Sequence, residues 1–241
     1  MGKRLNKLIF RKVRDANLKY RLVEDGDRVA AAMSGGKDSL TMLYFLDLLR
    51  RFTSLRFDIV PVYIDLGWQN DTAPLFDFCR QLGLEMVTEH TSIGRVVFNL
   101  RQEKNPCALC SNLRRGCMSR VARTRKCNKI ALGHHLDDVV HTLFMSILYE
   151  SRYKVFKPST YLDRTGITLI RPLIYVKESQ IINFVDSMGL KPVYNRCPAD
   201  GSSKRSEVQQ TLDLIEERHP GARQSFLSAL ENIDRESLWA E

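Results

Sequence analysis

Four short apolar runs punctuate the first part of the chain: RVAAAM (Arg28–Met33), DIVPVYI (Asp58–Ile64), EMVTEH (Glu85–His90) and KIALG (Lys129–Gly133). Their small and β-branched residues predict strands. Helix-length segments follow them at Ser39–Phe52, at Ala73–Leu82, across a cysteine-bearing stretch ending near Lys126, and from His135 to Tyr149. Strand and helix alternating in this way predict an α/β fold, a mainly parallel sheet with helices on both faces. Further on, an extended piece is expected at Thr168–Arg171, a helix at Lys177–Met188, and helical pieces on either side of Pro220-Gly221. The composition of Pro198–Lys204 predicts a loop. The chain divides on this reading into a basic N-terminal helical segment (1–27), an α/β domain (28–195), and a C-terminal loop with helices (196–241). No internal repeat or low-complexity linker interrupts it.

Composition narrows the classes without choosing among them. The 241 residues are 44% hydrophobic and 27% charged, the balance of a globular protein. The longest stretch free of Asp, Glu, Lys and Arg, Val139–Tyr149, falls well short of the ~20 residues of a membrane span. The basic N-terminus lacks the apolar core of a secretory signal, so a cytoplasmic protein with no membrane partner is expected. In a reducing compartment, six cysteines suggest metal binding or chemistry rather than disulfides.

Charge adds a partner class. The formal net charge is +9 and the isoelectric point near 9.3, which suggests a polyanion, nucleic acid first. Residues 101–129 hold nine Lys/Arg and one acid, with Arg114, Arg115, Arg120, Arg123 and Arg125 following a cysteine pair. On a helix some of these would face solvent together as a stripe for phosphates.

Candidate chemistry begins where the first strand ends. Ser34-Gly35-Gly36-Lys37-Asp38-Ser39 lies between that strand and an apolar helix. Two glycines let backbone N–H groups approach an anion, and the helix N-terminus adds its positive dipole end. Lys37 supplies a full charge, and Ser34 and Ser39 supply hydroxyls. Asp65 ends the second strand, and Gly133-His134-His135-Leu136-Asp137-Asp138 ends the fourth. Both stand at the carboxyl edge, where open α/β sheets bind ligands. Carboxylates beside a triphosphate act through Mg²⁺, and Asp137 is the preferred candidate; capping of the helix that follows is the structural alternative.

Cys107-Ala108-Leu109-Cys110 is a C-x₂-C pair. Alone it is compatible with zinc, iron–sulfur or redox chemistry. Cys197, in Asn195-Arg196-Cys197-Pro198, shares a polar, loop-like context, whereas Cys79, Cys117 and Cys127 lie in or at the ends of expected helices and read as buried apolar residues. Three thiolates from Cys107, Cys110 and Cys197 suit a [4Fe–4S] cluster with one iron lacking a protein ligand. A structural zinc would want a fourth ligand.

The phosphate loop matches the SGGKDS signature of the PP-loop ATP pyrophosphatases. Taken with C-x-x-C-x-x-x-R-R-G and G-H-H-x-D-D, the chain resembles the tRNA 2-thiocytidine synthetase (TtcA) family. The likeness runs nearly end to end, through VEDGDRVAAAMSGGKDS, CALCSNLRRG, IALGHHLDD, IRPLIYVKE and HPGARQSFLSALENI. It implies ATP activation of a tRNA pyrimidine carbonyl and replacement of its oxygen by sulfur. Cofactors implied are ATP, Mg²⁺ and a [4Fe–4S] cluster on Cys107, Cys110 and Cys197. Catalytic candidates are Lys37, Asp38, Asp137 and Arg114; nucleotide-binding candidates are Ser34, Gly35, Gly36, Lys37, Asp38, Ser39, Asp65 and Gly133. The implied partners are tRNA and a sulfur donor, a cysteine desulfurase or sulfide; the oligomeric state stays open, a homodimer included.

The chain departs from the family pattern twice. His141 stands where the family continues DD-x-x-E-T, and Cys197 stands alone where a second C-x-x-C is frequent. Two alternatives remain: a PP-loop enzyme thiolating another tRNA base or a small molecule, and a metal-stabilised RNA-binding protein without turnover.

Overall fold

The computed structural model describes residues 2–101, 106–193, 197–198, 204–234 and 236, leaving aside the side chains of 204 and 205. The loop expected at Pro198–Lys204 therefore lies, from 199 to 203, outside the described residues. The chain forms two compact units, 1–135 with 157–200, and 136–156 with 201–241.

The larger unit is built on six strands: β1 (Arg28–Met33), β2 (Asp58–Asp65), β3 (Val87–His90), β4 (Lys129–Ala131), β5 (Ser159–Leu162) and β6 (Ile167–Ile170). Their order is β3-β2-β1-β4-β6-β5. All neighbours run parallel except β5, which pairs antiparallel with β6. The inner strands are buried on both faces, which is why RVAAAM and DIVPVYI read as near-continuous apolar runs. Pro61 is tolerated inside β2 because β3 pairs only from Val62 onward, so one side of β2 has no ladder bond to lose there.

Helices cover the two faces. On one lie α1 (Gly2–Tyr20), α2 (Lys37–Phe52) and α7 (Glu178–Ser187), packed against one another. Helix α1 buries Ile9, Val13 and Ala16, spaced to form one stripe, and turns its basic residues outward. Phe45 of α2 and Phe184 of α7 meet at 5.1 Å between ring centroids. On the other face α5 (Pro106–Thr124) presses Cys117, Met118, Val121 and Ala122 onto β2 and β4. Helix α3 (Ala73–Gln81) completes the larger unit with a short α4 (Ile93–Arg95), which runs into a wider-pitched turn at Val96–Arg101.

The smaller unit packs α6 (Leu136–Glu150), α8 (Lys204–Arg218) and α9 (Ala222–Glu231) together. Phe144 meets Phe226 edge-on at 5.0 Å, and Arg223 binds the carboxylates of both Asp137 and Asp213. Among the described residues, no helix is long and apolar enough to cross a membrane.

Candidate functional site

Strand order reverses between β1 and β4, since β1 continues to β2 on one side while β4 leads outward on the other. In open α/β sheets this divergence leaves a crevice beyond the carboxyl ends of the strands. Ser34–Ser39 and Gly133–His135 both emerge there.

The loop is shaped by its own backbone. Gly35 has φ +87°, a conformation that L side chains rarely adopt. Gly36 is the N-cap of α2 and no side chain caps the helix, so its first N–H groups remain for an anion. Ser39 is buried, and its hydroxyl donates to the Gly36 carbonyl at 2.9 Å and stands 3.3 Å from the Ser34 hydroxyl. The serines therefore brace the loop as well as offering it hydroxyls. Gly133 is a close-approach residue: a Cβ there would come within 3.1 Å of the Asp38 backbone. A side chain there would have to push the start of α2 back by a few tenths of an ångström.

Lys37 is half-buried between two carboxylates, 2.9 Å from Glu178 and 3.2 Å from Asp38. Burial opposes its charge, but hydrogen bonding to Glu178 and the charges of Asp38 and Glu178 outweigh it and raise the pKa. His135, also buried, brings Nε2 to 3.7 Å from Asp38. Glu178 was not singled out by sequence; its signal lay in IRPLIYVKE, where it begins α7. Asp65 is engaged locally, accepting from the Gly67 N–H at 2.8 Å and lying 2.9 Å from His90 Nδ1. Asp137 belongs to the smaller unit, where Arg223 Nη1 holds it at 3.0 Å. His141, on the same helix, is buried.

The cysteines separate as their contexts suggest. Cys79, Cys117 and Cys127 are buried, Cys107 is exposed, and Cys110 and Cys197 are intermediate. Burial pushes the Cys79 thiol up to about 11. Cys110 is raised as well, first by burial, against the lowering charge of Arg114 one turn away, with further raising by Cys197 and Cys107. Cys197 is distant in sequence from the C-x₂-C pair, yet it lies near enough to Cys110 to be among the causes that raise that thiol. Among the described residues no three His, Cys, Asp or Glu side chains form a ready site for a single metal ion.

Val193, four residues before Cys197, is tied to the phosphate loop: its N–H donates to the Gly35 carbonyl at 2.9 Å.

Comparison with known proteins agrees with this geometry. Residues 6–212 match the family described as PP-loop domain. A tRNA-cytidine(32) 2-sulfurtransferase of Syntrophotalea carbinolica is 35% identical, over 95% of this chain and 92% of its own. A solved U34-tRNA thiolase, NcsA from Methanococcus maripaludis with its [4Fe-4S] cluster, superposes with TM-score 0.79 at 27% identity, covering 96% of this chain and 79% of its own. The NH3-dependent NAD synthetase of Campylobacter jejuni shares the fold alone, with TM-score 0.51 at 15% identity over 97% and 94% of the two chains. The chain belongs to the PP-loop family, on its tRNA sulfurtransferase branch.

Proposed function

We propose that the protein uses ATP and a [4Fe–4S] cluster to convert the C2 carbonyl of a tRNA pyrimidine, cytidine first, into a thiocarbonyl. The observation that carries this reading is the joining of two chemistries: Val193, hydrogen-bonded to the phosphate loop at Gly35, stands only four residues before Cys197.

The carbonyl oxygen of the base attacks the α-phosphorus of ATP, and pyrophosphate leaves. Loop amides at Gly35 and Gly36, the α2 N-terminus and Lys37 stabilise the charge that builds on the phosphates. Glu178 and Asp38 hold Lys37 extended toward that charge. Asp38 is the proposed handle for Mg²⁺ beside the loop; Asp137, held by Arg223, is a further candidate carboxylate. Sulfide then attacks C2, and AMP departs with the original oxygen and the C–O bonding pair; a proton is lost to water as C=S forms. No net oxidation occurs. Cys107, Cys110 and Cys197 would hold the cluster, which supplies an iron without a protein ligand for binding the incoming sulfur. Arg114, beside Cys110, faces the anionic adenylate or the RNA. Base chemistry needs an accessible nucleotide, so an unpaired tRNA loop is the expected target.

Anaerobically reconstituted protein, tRNA transcript, ATP and sulfide would be assayed for AMP, pyrophosphate and thiolated nucleosides by mass analysis. The expected product is 2-thiocytidine. ATP turnover without any thionucleoside, or 2-thiouridine alone, overturns the proposal or its choice of base. Cys107→Ala should abolish the product.

A further inference from the structure

A second basic feature lies farther along the helix that begins with the cysteine pair. Between α5 and the β5–β6 turn runs an open groove of about 1110 Å³, lined by Arg115, Arg120, Arg123, Tyr161, Asp163 and Arg164, among others. That is at or above the upper end of the range for small-molecule pockets, roughly 300–1,000 Å³, which are also mostly apolar. Here Leu162 is the one aliphatic side chain in the lining.

Helical spacing explains the charge. Residues 112, 115, 116, 119, 120, 123 and 124 line the groove, the three-and-four spacing of one helix face. Cys117, Met118, Val121 and Ala122 occupy the opposite, buried face. The expected stripe of five arginines is therefore divided. Arg115, Arg120 and Arg123 line the groove, Arg114 stands one turn beyond Cys110 outside its lining, and Arg125 follows the end of the helix. Arg164 joins from the hairpin, so four arginines meet one aspartate; Arg120 is paired with Glu89 at 2.8 Å. Buried Arg171 is lowered to about 10, by burial first and then by the charge of Arg115, a sign of the positive potential behind this wall. Tyr161 stands at the lip, 60% exposed. Arginines beside an exposed aromatic ring suit an unpaired nucleic-acid strand, with phosphates on the cations and a base on the ring.

We propose that this groove is a second anchor for the RNA: Arg115, Arg123 and Arg164 take backbone phosphates of an unpaired segment, and Tyr161 stacks one of its bases. The proposal rests on the tRNA reading above and deepens it. Arg115 and Arg123 lie five and thirteen residues beyond Cys110, about 8 and 20 Å along the helix at 1.5 Å per residue. One rigid element thus sets the distance between the anchored backbone and the thiols, which fixes the nucleotide to be modified by its spacing from the anchored segment.

Binding of an unmodified tRNA transcript to full-length protein would be measured across a salt series. Arg123→Ala and Arg164→Ala should each weaken binding severalfold and lower the slope of log K against log salt by about 0.7–0.9, the signature of one lost phosphate contact. Arg123→Lys should keep the slope. Tyr161→Ala should weaken binding with the slope unchanged, since a stacked ring releases no counterion. Gly116→Glu adds a negative charge to the same face where nothing stands within 4 Å of a new Cβ, and it should weaken binding with every arginine retained. Circular dichroism and iron content check folding. Arginine variants with wild-type affinity and slope overturn the groove while the thiolation reading stands on its product assay. Wild-type protein that binds no tRNA overturns both. Arginine variants that lose polyglutamate binding but keep tRNA assign the groove to an acidic protein and overturn the proposal.

Discussion

Val193 donates its N–H to the Gly35 carbonyl at 2.9 Å, and a Cβ placed on Gly35 would stand 2.9 Å from the Cβ of Val193. This contact ties Val193 to the phosphate loop. Cys197 lies four residues beyond Val193, a reach of at most about 14 Å even fully extended.

Gly35→Ala should therefore damage both halves of the site. The residue would be held at φ +87°, at a cost of about 1–2 kcal/mol for a left-handed L residue, and its new methyl would press on Val193. Nucleotide binding and iron content should fall together. Val193→Gly in the same chain should recover part of the stability by removing the clash, but not the backbone strain. If iron content stays full in the single variant, the coupling between loop and cluster is wrong.

Lys37→Ala should lower AMP formation by about 10²–10³-fold, the effect of removing one donor aimed at transition-state charge, with little change in circular dichroism. The pH dependence has a definite sign. Ion pairs hold Lys37 above its ordinary 10.5, so their stabilisation is fully present below that value and is lost as pH rises through the raised pKa. The stability difference between wild type and Glu178→Gln should be level from pH 7 to 9 and shrink in alkaline solution above 10.5. A difference that vanishes near neutrality would show that another group is responsible.

Alkylation should rank the thiols by exposure and ionisation. With iodoacetamide at pH 8, Cys107 should react first and Cys79, buried and pushed up to about 11, should react last. Anaerobic loading with iron and sulfide should protect Cys107, Cys110 and Cys197. Peptide mass analysis that finds Cys117 or Cys127 newly protected, with Cys107 still labelled, would give a different ligand set.

Arg223 and Asp137 form a nearly enclosed pair, with side chains 7% and 12% exposed. Arg223→Ala should cost about 3 kcal/mol in urea unfolding, since it removes the cation from a largely enclosed ion pair. Replacing both by apolar residues, Arg223→Met with Asp137→Leu, should recover most of that loss. A single variant as stable as wild type would mean that the pair contributes nothing to the smaller unit.

Local chemistry was legible in the chain itself. Apolar runs marked β1, β2 and β4 because strands buried on both faces must be apolar throughout, and the Gly-Gly-Lys turn between strand and helix marked the phosphate loop because its function is mostly backbone. The polar context of Cys107 and Cys197 separated them from the three buried thiols, although Cys107 stands in the first turn of α5 and not in the loop its context suggested. Edge strand β5 escaped, being short and half exposed, with little periodicity to detect. Tertiary structure alone decided what meets what. Glu178 reaches Lys37 from another helix, Val193 binds Gly35 across the loop, Gly133 is fixed by the approach of Asp38, and Asp163 and Arg164 close a groove against α5. Such pairings arise when the sheet brings chain segments distant in sequence to one edge, and no periodicity within a segment records the partner it will find there.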